Sequence, residues 1–100
     1  MKVKAKFKFK VHKDNKANLT WEQANIYCKL LGDGWRLPTR VELLLMYENK
    51  EEIGGFVSND YWSSTEVGNY HAWTQNFGNG YQHDCSKTNT DSVRAVKDIN

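Results

Sequence analysis

From Lys2 to Val11 the chain alternates charge with apolar bulk: Lys2, Lys4, Lys6, Lys8 and Lys10 are separated by Val3, Ala5, Phe7 and Phe9. A period of two is the mark of a strand with one buried face, so residues 1–13 read as a lysine-coated strand. The polar run Lys13-Asp14-Asn15-Lys16 then reads as a turn. At Thr20 the period changes to that of a helix. Thr20 and Gln23 stand three apart as a capping box, Trp21, Ala24, Cys28 and Leu31 follow on one side, and Gly32 supplies a left-handed stop.

The stretch Trp35-Arg36-Leu37-Pro38-Thr39-Arg40-Val41-Glu42-Leu43 joins a strand end to a second helix. Pro38 keeps Leu37 out of the helical region, and Thr39 with Glu42 forms another capping box, so the helix starts at about Arg40. Its pattern sends Val41, Leu44, Leu45 and Met46 inward and leaves Arg40, Glu42 and Glu48 in water. Residues 49–60 read as a loop broken at Gly54-Gly55 and anchored by Ile53, Phe56 and Val57. Four strands follow, over residues 61–66, 71–77, 81–87 and 93–99. Between the second and third, a three-residue Gly78-Asn79-Gly80 loop would pair Phe77 with Tyr81 and Trp73 with Cys85 on one face, leaving Thr74, Asn76, Gln82, Asp84 and Ser86 on the other. A two-residue turn would split the apolar face, so the longer loop is expected. The class is α+β: two helices packed on antiparallel strands.

In order and spacing, Leu19-Thr20-Trp21-Glu22-Gln23-Ala24, Tyr27-Cys28-Lys29-Leu30, Trp35 to Thr39, Tyr61-Trp62-Ser63-Ser64-Thr65, Ala72-Trp73, Lys87 and Val93-Arg94-Ala95-Val96 resemble the C-terminal domain family of the Legionella collagen-like protein. The resemblance covers about residues 19–97. It implies a C-type-lectin-like fold in which the N- and C-terminal strands pair, and it places Trp62 and Trp73 in the core. It also suggests an ion pair between Arg36 and Glu66. In relatives with a cysteine like Cys28, the resemblance would put its partner in the last strand, where Ala95 stands. Cys28 is therefore expected to be a small buried hydrophobe, with a Cys28–Cys85 bridge as the alternative.

With 100 residues, 39% hydrophobic and 26% charged, the chain is long enough to bury roughly 65% of its unfolded surface as a single domain over residues 1–100. No apolar run approaches the roughly 20 residues of a membrane span. The N-terminus lacks the apolar core of a secretory signal, so the chain is not expected to target itself, although export in a virion or a cut precursor stays open. Net charge is only +2. The lysine face is expected to be solvated and to guard a sheet edge against aggregation; its other reading is an anionic partner held by Lys4, Lys6 and Lys8.

No chemistry of a catalytic kind emerges. His83 and Cys85 with His12 or His71 make no pair-and-pair zinc pattern, and no nucleophile elbow, phosphate loop or calcium loop is present. The patterns of calcium-dependent sugar-binding lectins are missing as well. Neither enzyme activity, cofactor nor metal is expected. Residues 58–92 instead concentrate Asn, Tyr, Trp, His, Ser, Thr and Gly, a composition suited to amphipathic contact with adaptable hydrogen bonding. Asn69, Tyr70, Asn76, Asn79, Gln82 and Asp84 are the candidate contacts. The resulting expectation is a non-catalytic recognition or assembly module of a phage or bacterial surface, or of a virion, binding a protein or glycan. It would form trimers by analogy, without membrane insertion; nucleic acid is not expected as a partner. The alternative is a small virion or intracellular structural protein that binds an acidic partner through the lysine strand, which leaves the cytoplasm open as a location.

Overall fold

The computed structural model describes residues 7–99, so residues 1–6 of the expected strand over residues 1–13 lie outside it. In chain order the elements are β1 (Phe9–Leu19), α1 (Trp21–Leu30), β2 (Trp35–Arg36), α2 (Arg40–Glu48), α3 (Lys50–Ile53), β3 (Asp60–Val67), β4 (His71–Asn76), β5 (Gln82–Ser86) and β6 (Asp91–Asp98). Both capping boxes form: Thr20 with Gln23 opens α1, and Thr39 with Glu42 opens α2. These are local signals, and the helices begin where they predict.

The strands form one six-stranded sheet in the order β1-β6-β3-β4-β5, with β2 also pairing with β6. β6 is antiparallel to β1 and β2 and parallel to β3, where Tyr61 lies opposite Ser92. The sheet is therefore mixed rather than antiparallel, and there are three helices among the described residues rather than two. The pairing of the first described strand with the last agrees with expectation. Lys13–Lys16 is not a turn. β1 runs through it, with register shifts between Val11 and Asn15 and between Lys16 and Leu19. Such irregularities let a polar stretch stay in the ladder while its side chains are re-aimed: the Asn15 carboxamide donates to Gly55 O and accepts from the Tyr61 hydroxyl.

Helices cover both faces. On one side α1 packs Ala24 and Cys28 against Trp62, Ala72, Cys85, Val93 and Ala95. On the other, α2 packs Leu43 and Met46 against Phe9, Tyr61, Phe77 and Val96. This corrects the expected α2 face. Val41 is 64% exposed and Leu44 and Leu45 also reach solvent, while Leu43 and Met46 are fully buried. Five consecutive apolar residues, Leu43 to Tyr47, admit more than one inward face. The choice is made by the polar ends: the Arg40 guanidinium lies 3.6 Å from the Trp73 ring centre, and Glu42 turns to Arg36.

The β4–β5 register is also corrected. Ala72 faces Cys85, Trp73 faces Asp84 and Thr74 faces His83, one residue away from the expected pairing. The Asn76 N–H donates to Tyr81 O (2.8 Å), so the loop holds four residues, Phe77 to Gly80. Asn76 makes this loop, its carboxamide oxygen accepting from the N–H groups of Gly78 (2.8 Å) and Asn79 (3.0 Å). Phe77 leaves the ladder because its N–H donates to Asn59 O, and its ring stacks on Phe56 at 4.3 Å. Gly80 is required twice over: its φ is +82°, and a Cβ there would lie 2.6 Å from the Tyr47 ring. With this register Thr74 and Asn76 share a face with His83 and Cys85, while Trp73 and Gln75 share the other with Gln82, Asp84 and Ser86.

Ser92 to Val96 of β6 are all buried, including Arg94 at 3% exposure. The Arg94 guanidinium donates to His12 O, to Gly54 O (3.0 Å) and to Asn15 Oδ1 (3.4 Å), and it lies 4.5 Å from the Phe56 ring centre. Burial lowers its pKa from the ordinary arginine value, because desolvation penalises the charge. Lysine is a point donor that cannot span acceptors from two directions. Arg94→Lys is expected to lower unfolding free energy by about 1–3 kcal/mol with an unchanged denaturant slope, as read by urea titration; a change within error would show that the fork is dispensable.

Candidate recognition groove and a buried polar cluster

The six expected contact residues do not converge. Asn69 and Tyr70 sit in the β3–β4 turn, with Tyr70 79% exposed. Asn76 and Asn79 lie at the opposite end of β4 and are committed to the turn, since Asn76 Nδ2 also donates to Asp60 (3.0 Å) and Asn79 Oδ1 accepts from the Tyr81 N–H (2.9 Å). Gln82 is on the α2 face, where its amide exchanges hydrogen bonds with the Arg40 guanidinium (2.9 Å) and Arg40 O (2.8 Å). Asp84, on that face too, meets His71 Nδ1 at 2.8 Å, and this contact lowers its pKa below the usual carboxylate range. The polar face expected to carry Thr74, Asn76, Gln82, Asp84 and Ser86 together is thus divided between two sides of the sheet. Of the lysine trio, Lys8 is exposed just before β1, at the sheet edge, while Lys4 and Lys6 lie outside the described residues.

Asn69 does border a cavity. An open groove of about 480 Å³ lies between the first turns of α1 and the β3–β4 turn, lined by Thr20, Trp21, Gln23, Ile26, Asn69 and Lys87, with Glu22 and Thr88 at its sides. Local forces fix it. The Trp21 N–H donates to Lys87 O (3.1 Å), and the Trp21 indole N–H donates to Ser63 O (2.9 Å). Lys87 Nζ lies 4.2 Å from the Trp21 ring centre, donates to Asn69 O (3.0 Å) and pairs with Glu66 at 2.5 Å. Lys87 therefore holds the turn against the helix. The expected Arg36–Glu66 pair does not form: Arg36 instead binds Glu42 (2.7 Å) and Asp98 (2.6 Å), because the capping box brings Glu42 beneath it. The groove joins an aromatic ring, an exposed Ile26, two amides and hydroxyls, a mixture that can meet both apolar and hydrogen-bonding groups of a ligand. Thr20, Trp21, Gln23, Ile26 and Lys87 were not among the expected contacts, since reading strand and helix separately hides where they meet.

A second cluster lies on the sheet face that carries α1. His83 Nε2 is 3.2 Å from Asp60 Oδ2, and Cys85 Sγ is 3.6 Å from both His83 Nδ1 and Thr74 Oγ1. Asp91, which follows the β5–β6 turn, has a buried Oδ2 without a hydrogen-bond partner. Its pKa is pushed up to about 6, first by burial and then by the charge of Asp60, with His83 opposing. Cys28 and Cys85 are both free and buried, and burial pushes the Cys28 thiol up to about 12, which suits its role as a small core residue.

The family model described as the Lcl C-terminal domain matches residues 4–97, a span that takes in much of the lysine-rich segment as well as the region of resemblance. No curated protein matches the chain. No helix among the described residues is long and apolar enough to cross a membrane.

Asp91 gives a pH test in metal-free buffer. Its folded pKa lies above the unfolded one, so its contribution to stability is complete below the unfolded value and is lost as pH rises through about 6. Asp91→Asn should flatten the fall in stability between acid and neutral pH, and raise neutral-pH stability on the order of 1–2 kcal/mol, allowing for the group's partial contact with water. Parallel urea titrations across that window would expose an unaltered slope if the carboxyl were not strained.

Proposed function

This chain belongs to the Lcl C-terminal domain family, and we propose that it is a non-catalytic recognition or assembly module whose contact surface is the groove between α1 and the β3–β4 turn. Family membership supports a surface or recognition-type role. The observation that carries the groove is the meeting of Asn69 with Trp21, Ile26 and Lys87 at one concave place. The ligand class is a protein segment or glycan on a cell or virion surface. Its apolar face would lie on Trp21 and Ile26, and its hydroxyl or amide groups would exchange hydrogen bonds with Asn69, Thr88 and nearby backbone.

The finer reading follows from the same premise: a C-type-lectin-like domain displayed by a phage or bacterial surface, in trimers that multiply weak sites through effective concentration. Two helices on opposite faces of a sheet whose first and last described strands pair are compatible with that architecture. The lysine strand supports an acidic partner less well, because Lys8 flanks an edge strand where charge also prevents edge-to-edge pairing.

A labelled preparation of the chain screened against immobilised bacterial-surface glycans and peptides would test the groove. Ile26→Arg and Asn69→Ala are expected to weaken a specific interaction at least about tenfold each, a loss of about 1.4 kcal/mol, whereas Asn79→Ala, at the far end of β4, should leave it unchanged. Equal loss in all three variants, or loss only in Asn79→Ala, would move the contact surface away from α1.

A further inference from the structure

We propose that Asp60, His83 and Cys85 form a binding site for one divalent transition-metal ion of the zinc type, with Asp91 as the fourth donor. One ligand atom from each of the first three lies within 4.8 Å of the others. They come from β3 and β5, on either side of β4, so their spacing is set by hydrogen-bonded strands rather than by a loop. A site held on regular strands keeps its geometry without an ion present.

Several features suit a cation. Asp60 Oδ1 accepts from Asn76 Nδ2 at 3.0 Å, which orients the carboxylate and leaves Oδ2 facing His83; such outer contacts are how ligating carboxylates are fixed. Cys85 is 8% exposed, and its sulfur meets His83 and Thr74 at the weak distance of 3.6 Å. Asp91 brings a second carboxylate to the wall of the cleft that Asp60 lines, and its buried Oδ2 has no partner. An unpaired buried oxygen asks for a ligand. A cation between the two carboxylates would remove their repulsion and occupy that oxygen together. The entry path is a polar cleft of about 260 Å³ whose wall contains both Asp60 and Asp91, beside Asn18, Ser58 and Thr90.

The donor set selects the ion. One thiolate, one imidazole and carboxylate oxygen match zinc and its spectroscopic substitutes, whereas calcium and magnesium take oxygen alone. Cys85 enters as thiolate, so each ion bound displaces the thiol proton to solvent. Sequence spacing concealed the site because only His83 and Cys85 are neighbours along the chain; Asp60 and Asp91 arrive through the sheet.

Cobalt(II) titrated into the metal-stripped chain reads the site directly. The expected result is one equivalent bound, a near-ultraviolet thiolate-to-cobalt charge-transfer band, the strong visible bands of tetrahedral cobalt, and loss of all of them when zinc is added. His83→Gln should weaken binding at least about tenfold and Cys85→Ser should abolish the charge-transfer band, while His71→Gln, at the separate exposed His71–Asp84 pair, should change nothing. If Cys85→Ser does not fold, alkylation of the wild-type chain mapped by mass spectrometry replaces it: zinc should slow modification of Cys85 and leave that of Cys28 unchanged. A wild-type chain without the charge-transfer band, a band that survives in folded Cys85→Ser, or thiol protection that does not single out Cys85 would each overturn the assignment.

Discussion

A buried guanidinium holds this fold together. Arg94 sits in the middle of β6, which pairs with β1, β2 and β3 alike, and among the described residues no carboxylate forms an ion pair with it, Asp14 acting only from farther away. A buried cation without an ion-pair partner is costly, so its N–H groups must find oxygen. They find it in the backbone of His12 and Gly54 and in the Asn15 carboxamide, with the Phe56 ring beneath. Two segments far from it in sequence, residues 12–15 and 54–56, are thereby fixed to one side chain. The irregular course of β1 follows from this, because Asn15 must reach Arg94, Gly55 and Tyr61 together.

The two faces of the sheet divide the work. On the α2 side, most polar groups are used internally, the buried Gln75 Oε1 excepted: Arg40 covers Trp73 and binds Gln82, and Arg36 ties Glu42 to Asp98. The α1 side holds the groove and the titratable cluster. Lys87 and Trp21 frame the groove at one end of β4, and Asp60, His83, Cys85 and Asp91 gather toward the other. The proposed groove and the proposed ion site thus lie on one face of the sheet.

How much of this could be read from the chain depended on the range of the forces involved. Thr20 with Gln23 and Thr39 with Glu42 announced both helices because a capping box closes within four residues. The four C-terminal strands were legible from their apolar content. The β4–β5 register was not, because it rests on the Asn76 side chain folding over its own turn and on Asn59 drawing Phe77 away. Assuming one apolar face failed at Trp73, since helices cover both sides of the sheet. The α2 face was ambiguous for want of Trp73 and Arg36 as spatial neighbours. Among the candidate contacts Asn69 alone borders the groove, whose other walls come from the start of α1 and from Lys87 and Thr88 after β5. Tertiary meetings of this kind leave no periodic trace.

The central position of β6 sets the order in which the molecule can be made. β1, β2 and β3 each pair with a strand that follows all of them in the chain. As the polypeptide leaves the ribosome, the two capped helices and the β3–β4–β5 meander can form early, but β1 and β2 have nothing to zip against until residues 91–98 emerge. Long-range closure of this kind is slow compared with helix formation. The nascent chain therefore carries β1 and β2 unpaired until the keystone strand arrives.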